Sequence, residues 1–176
     1  MTHRGAWFLL LLATYPWLLG VDLLSSSLAS WGLCFFISGA VIVTPCRRLR
    51  RWQCILFAAS IGFLFEALRP IPDGSVALVL VFLSIYIHSY REALRSQSHV
   101  FFASMIANAL VTLVWVVVAH VQCDAASSVD TFTFLYLAFV QVGLSAVLAA
   151  LLISPISAVQ NWAMDAIGLP AAELNR

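Results

Sequence analysis

Ionisable and amide side chains are rare in this chain, so each one that interrupts an apolar stretch is a candidate for chemistry. Glu66 is the most informative: an acid inside an apolar run, followed three residues later by Arg69. At a rise of about 1.5 Å per residue from Trp52, it lies about 21 Å into a bilayer core of about 30 Å. Its simplest partner is Arg69, at i,i+3 spacing on one helix face, and a contact with another helix or another protein is the alternative. Asn108 and Gln141 are intramembrane amides about 12 Å and about 15 Å into the fifth and sixth apolar stretches, so antiparallel neighbours bring them together near the midplane. An amide pair there is expected to act as interhelical glue worth roughly 0.6–2 kcal/mol, not as a ligand site.

Catalytic patterns are absent from the sequence. It has no GxSxG elbow, no HExxH, no phosphate-binding Walker loop and no pair of intramembrane aspartates. The four cysteines, Cys34, Cys46, Cys54 and Cys123, form no CxxC pair, and none sits near a histidine at metal-ligand spacing. His88, His99 and His120 fall at the ends of apolar stretches, as interfacial histidines do. The expectation is a protein with no catalytic residue, no metal and no cofactor.

The elements that must position these side chains follow from composition. Of the 176 residues, 62% are hydrophobic and 10% charged, against about 45–50% and about 25% for an ordinary soluble domain. A chain of this size cannot hide that much apolar surface from water, so its solvent is a bilayer. Apolar runs fall near 5–24, 27–45, 52–68, 75–90, 100–121 and 131–154, which predicts an all-α integral membrane protein, a bundle of six transmembrane helices over 1–154. The third and fourth runs are short for a full crossing, and Arg69-Pro70-Ile71-Pro72-Asp73-Gly74 separates them, so they read as a tight helical hairpin. Residues 155–176 read as a cytoplasmic tail in which Ile156, Val159, Trp162 and Ile167 mark a short interfacial helix, stopped by Gly168 and Pro170. A cleaved leader is the alternative reading of the first run, which is longer than the usual apolar core of such a leader.

Orientation follows from arginine, the only basic residue type other than histidine. Arg4, the Arg47-Arg48-Leu49-Arg50-Arg51 cluster, Arg91, Arg95 and Arg176 all fall on one side of a six-span chain, while Asp22, Asp73, Asp124 and Asp130 fall on the other, with Arg69 the lone basic exception there. Both termini are therefore expected in the cytoplasm. Between two apolar runs, the cluster Arg47, Arg48, Arg50 and Arg51 reads as a topology anchor that also meets anionic lipid heads of the inner leaflet, at about 1 kcal/mol per arginine, and not as a nucleic-acid site. Ala58-xxx-Gly62, Ser145-xxx-Ala149 and Ala146-xxx-Ala150 place small residues on single helix faces, where helices can approach closely.

Gly62-Phe63-Leu64-Phe65-Glu66, then Pro70-Ile71-Pro72-Asp73-Gly74, then a span ending at Arg91 and Arg95, resembles the MreD family of rod shape-determining membrane proteins. The motif is a glycine, an acid four positions on, a polar turn ending in glycine, and an apolar span ending in basic residues. Here Gly62, Glu66, Gly74 and Arg91 stand at those places, with glutamate where the family typically has aspartate. The resemblance covers residues 58–95. It implies a non-enzymatic scaffold subunit of the bacterial cell-wall elongation machinery in the inner membrane, working with MreC and other elongation-complex membrane proteins. Its interaction candidates are Gly62, Glu66, Arg69, Asp73 and Gly74, beside the packing candidates Asn108 and Gln141. The family is also similar in its six-helix fold to the substrate-binding subunits of ECF vitamin transporters. That kinship supplies an alternative, a small-molecule-binding transport subunit whose outward pocket Glu66, Arg69, Asp73, Asp124 and Asp130 could rim.

Overall fold

A computed structural model of the chain describes residues 5–29, 34–68, 74–123 and 131–169. Among them the protein is all-helical: α1 (Ala6–Leu28), α2 (Ser38–Arg48), α3 (Arg51–Ala67), α4 (Ser75–Ser89), α5 (Gln97–Cys123) and α6 (Thr131–Ala166), with a 3₁₀ turn at Ala93–Arg95 before α5. Three of them, α1, α5 and α6, are long and apolar enough to cross a membrane. At about 1.5 Å per residue α3 and α4 reach only about 26 Å and about 22 Å, and α2 about 16 Å.

The second apolar run departs most from expectation. Its first residues complete α1, and Cys34–Ile37 is non-helical before α2 starts at Ser38. What remains is an 11-residue helix in the middle of the bundle, in contact with each of the other five. Every residue from Ser38 to Cys46 is buried, which is why the segment is apolar on all sides and reads as a full helical span although the helix alone is too short to cross a bilayer.

The sixth run also differs. α6 continues unbroken through Pro155 to Ala166, so residues 155–166 extend the sixth helix and do not form a separate interfacial one. The face expected to lie on lipid is divided. Ile156 is fully buried with Gln160, Ala163 and Met164, whereas Trp162 points outward at 72% exposure. Arg48, at the end of α2, forms an ion pair with Asp165 of this extension, a contact worth about 0–1 kcal/mol at its exposed position.

The remaining boundaries fall within a residue or so of expectation for α3 and α4, whose apolar runs are bounded by the arginine cluster and the proline-rich turn. These two helices form the hairpin at one side of the bundle, and α5 and α6 pair along their length on the other. Phe36, just before α2, anchors the centre by stacking edge-on against Phe65 at 5.2 Å and obliquely against Trp115 at 4.7 Å.

Candidate functional site

A short helix buried inside an apolar bundle creates a specific problem. Its ends, and any backbone group it cannot satisfy itself, must find partners without water, at about 1–3 kcal/mol for each one left unmet. The polar residues singled out in the sequence are arranged around this problem.

Asn108 of α5 does not meet Gln141. Its Nδ2 donates to the carbonyl of Phe36 at 2.7 Å and to Ser145 on α6, at 3.1 Å to the carbonyl and 2.9 Å to the hydroxyl. Ser145 Oγ also donates to the Phe36 carbonyl, at 3.0 Å, and Thr112 Oγ1 lies 2.8 Å from the Asn108 carbonyl and 2.9 Å from Ser145 Oγ. All three side chains are fully buried. Because two carbonyls face the amide, its NH2 must point toward them, which fixes its orientation. Gln141 lies one turn before Ser145 on α6 and is half-buried. The close approach that permits this cluster comes from Gly39: a Cβ there would lie 2.5 Å from the Ala107 carbonyl oxygen and 2.6 Å from Asn108 Cα.

The second orphan is made by proline. Pro45 has no N–H, so the Val41 carbonyl loses its helical donor. Gln160 Nε2 of α6 takes that place at 3.0 Å, from a fully buried position. At the C-terminal end of α2, the Cys46 carbonyl lies 3.3 Å from His88 Nδ1 of α4 and 3.9 Å from Cys54 Sγ of α3, and Cys54 Sγ and His88 Nδ1 are themselves 3.8 Å apart. His88 thus serves the interior end of a helix instead of filling an interface. His99 meets the Ala93 carbonyl at 2.8 Å, and His120 stacks on Phe134 at 3.7 Å.

Glu66 has a different role again. Arg69 and Asp73 lie outside the described residues, and the Glu66 carboxylate is occupied by backbone. Oε2 accepts the N–H of Gly74 at 2.7 Å, and Oε1 accepts those of Val76 and, at 3.1 Å, Ala77. An acid 3% exposed on α3 therefore caps the start of α4, where three N–H groups and the positive end of the helix dipole favour a carboxylate. Gly74 supplies the left-handed turn, φ +97°, that aims its N–H at the acid. One helical turn before Glu66, Gly62 lets the two helices touch: a Cβ there would stand 2.2 Å from Ala77 Cα. Gly62, Glu66, Gly74 and Ala77 are thus parts of one closure.

Replacing Glu66 with Gln keeps the shape but substitutes an NH2 for one of the two acceptor oxygens and removes the charge. We expect Glu66→Gln to destabilise the hairpin by about 1–3 kcal/mol, measured by equilibrium unfolding in mixed micelles. Exchanging Glu66 and Arg69 should be at least as damaging; a fully stable exchange variant would refute the cap.

The remaining candidates do not converge on a reaction centre. Arg47 and Arg48 end α2, and Arg50 and Arg51 begin α3, where the Arg50 N–H is accepted by Gln53 Oε1 at 3.2 Å. Ser145 and Ala149 face inward, Ala149 packing with Ala40, while Ala58 and Gly62 face α4 and the core. Among the described residues no group of three His, Cys, Asp or Glu could hold a metal ion. Between α1, α2 and α3, Tyr15, Asp22, Phe35 and Phe65 line a cavity of about 20 Å³, room for about one water molecule. Sequence reasoning does not find Gly39, Gln160 or the Cys54–His88 contact, and it reads Ser145 only as a small packing residue; Pro45, which removes one N–H from an otherwise apolar helix, is the available signal for a donor such as Gln160.

Comparison with family models, with curated proteins and with solved structures finds no match for this chain.

Proposed function

We propose that the chain is a non-enzymatic membrane scaffold of the bacterial cell-wall elongation machinery, acting as MreD-like proteins do through helix faces and loops. The observation that carries this reading is the α3–α4 closure. The residues behind the family resemblance, Gly62, Glu66 and Gly74, meet in one rigid hairpin, and Glu66 is occupied by backbone instead of being presented to a substrate. The buried amides Asn108 and Gln160 are likewise directed at α2 carbonyls. A protein whose interior polar groups hold its own backbone is suited to presenting surfaces. A transport subunit instead needs an outward pocket lined by convergent polar groups, whereas Glu66, the one described residue of the rim expected for such a pocket, is committed to the N–H groups at the start of α4.

In this reading the protein sits in the inner membrane with six crossings and both termini cytoplasmic, supported by the arginine alternation. The shorter α2, α3 and α4 would then complete their crossings with adjoining loops and local thinning of the bilayer. MreC and other elongation-complex membrane proteins are the proposed partners.

Deletion of the gene tests the function directly. Cells should round, the wild-type protein should restore rods and co-purify MreC, and a periplasm-active reporter fused after Arg51 should be silent. Rod-shaped deletion cells would overturn the scaffold reading, and an active reporter at Arg51 would overturn the orientation.

A further inference from the structure

Where α2 ends at its arginines, α2, α5 and α6 line a half-open cavity of about 100 Å³. This exceeds several-fold the ~10–15 Å³ that one water requires. Its polar wall comes from Thr44 and Arg47 of α2, Gln97 of the first turn of α5, and Ser154, Ser157 and Asn161 of α6; none of the lining residues is a carboxylate. Phe101 and Ile153 form an apolar side.

Three features of this cavity have one chemistry in common. Thr44 is 2% exposed, yet its hydroxyl has no hydrogen-bond partner among the described residues, an uncommon state for a buried donor. Gln97 opens α5, so the positive end of that helix dipole lies at the cavity. Arg47, beyond the apolar run 27–45, has its pKa lowered from the ordinary arginine value, first by burial and then by the neighbouring Arg48. An anion beside it would offset the repulsion from Arg48.

We propose that this cavity binds a phosphate-type oxyanion, with Arg47 supplying the charge and Thr44, Gln97 and Asn161 the neutral donors. The anion can come from a phospholipid headgroup, whose chains would leave along Phe101 and Ile153, or from a soluble phosphate. The site is independent of the elongation reading and can stand if that reading fails.

Native mass spectrometry of the full-length protein in neutral detergent, titrated separately with phosphatidylglycerol and with inorganic phosphate, distinguishes the sources. Wild type should retain one phosphatidylglycerol. Arg47→Gln should weaken retention about tenfold, the loss expected for one charge-assisted phosphate contact. Thr44→Val, close in shape to the original, should weaken it less, and Arg51→Gln, an exposed arginine outside the cavity, should leave it unchanged. Inorganic phosphate binding with the same Arg47 dependence would assign the site to a soluble anion; binding of the lipid alone would assign it to a headgroup. Equal loss in Arg47→Gln and Arg51→Gln with none in Thr44→Val would mean general surface charge and would overturn the site, as would failure of wild type to retain either probe. If Arg47→Gln does not fold, Thr44→Val and Asn161→Leu decide by the same readout.

Discussion

Gly62→Leu is expected to separate α3 from α4 and to abolish whatever the hairpin does, while Gly143→Leu should be nearly silent. At position 62 even a methyl group would stand 2.2 Å from Ala77 Cα and 2.8 Å from Ala77 N, where carbon atoms need about 3.5–4 Å. The obstacle is backbone, so no side-chain rotation relieves it, and the helices must part by more than an ångström. That movement also withdraws Glu66 from the N–H groups of Val76 and Ala77. The steric cost, about 1–3 kcal/mol or more, therefore adds to that of an uncapped helix, about 1–3 kcal/mol. Position 143 has no atom within 4 Å of a built Cβ. Unfolding in mixed micelles and cysteine cross-linking across the hairpin should show the contrast, and equal stability of the two leucine variants would contradict the close approach.

Asn108→Leu is expected to destabilise the protein several-fold more than loss of the Arg48–Asp165 pair. Leucine has similar bulk but no donor, so the Phe36 carbonyl keeps only Ser145 Oγ, and Ser145 loses its amide neighbour. Buried polar groups left unmet cost about 1–3 kcal/mol each, whereas the exposed ion pair contributes about 0–1 kcal/mol. Asn108→Leu should thus lower stability by about 2–4 kcal/mol, against less than about 1 kcal/mol for Arg48→Ala, both read from unfolding midpoints. Ser145→Ala should fall between them, because the Asn108 amide still donates to both the Phe36 and the residue-145 carbonyls, whereas Asn108→Leu takes a donor from each. A neutral Asn108→Leu would show that the cluster contributes nothing to stability.

Much of the helical layout is legible in the sequence because charge and proline punctuate it. The arginine cluster and the Arg69–Gly74 turn bound α3 and α4 closely. What escapes the sequence is long-range. Nothing in the apolar run 27–45 marks its division between α1 and α2, since a buried short helix and a lipid-facing one share the same composition. Depth alone places Asn108 near the correct turn of α6, but choosing Ser145 over Gln141, four residues apart, requires the rotation of that helix. The Glu66 cap joins residues eight to eleven positions apart across a turn, and local pairing with Arg69 hides it. Gln160 falls in a stretch whose apolar spacing suggests a surface helix, and only tertiary packing turns Ile156 and Met164 inward and Trp162 outward.

The buried polar side chains support the backbone of α2, and proline provides the sharpest test of that role. Pro45→Ala returns an N–H to the helix beneath the Val41 carbonyl, so that carbonyl no longer depends on Gln160. The measurement is a double-mutant cycle of Pro45→Ala and Gln160→Leu by equilibrium unfolding. In wild type Gln160→Leu should cost about 1–3 kcal/mol, and in the Pro45→Ala background at least about 1 kcal/mol less. Equal cost in both backgrounds would contradict the assignment of Gln160 to the orphaned carbonyl, and with it the reading of the interior polar groups as supports for α2.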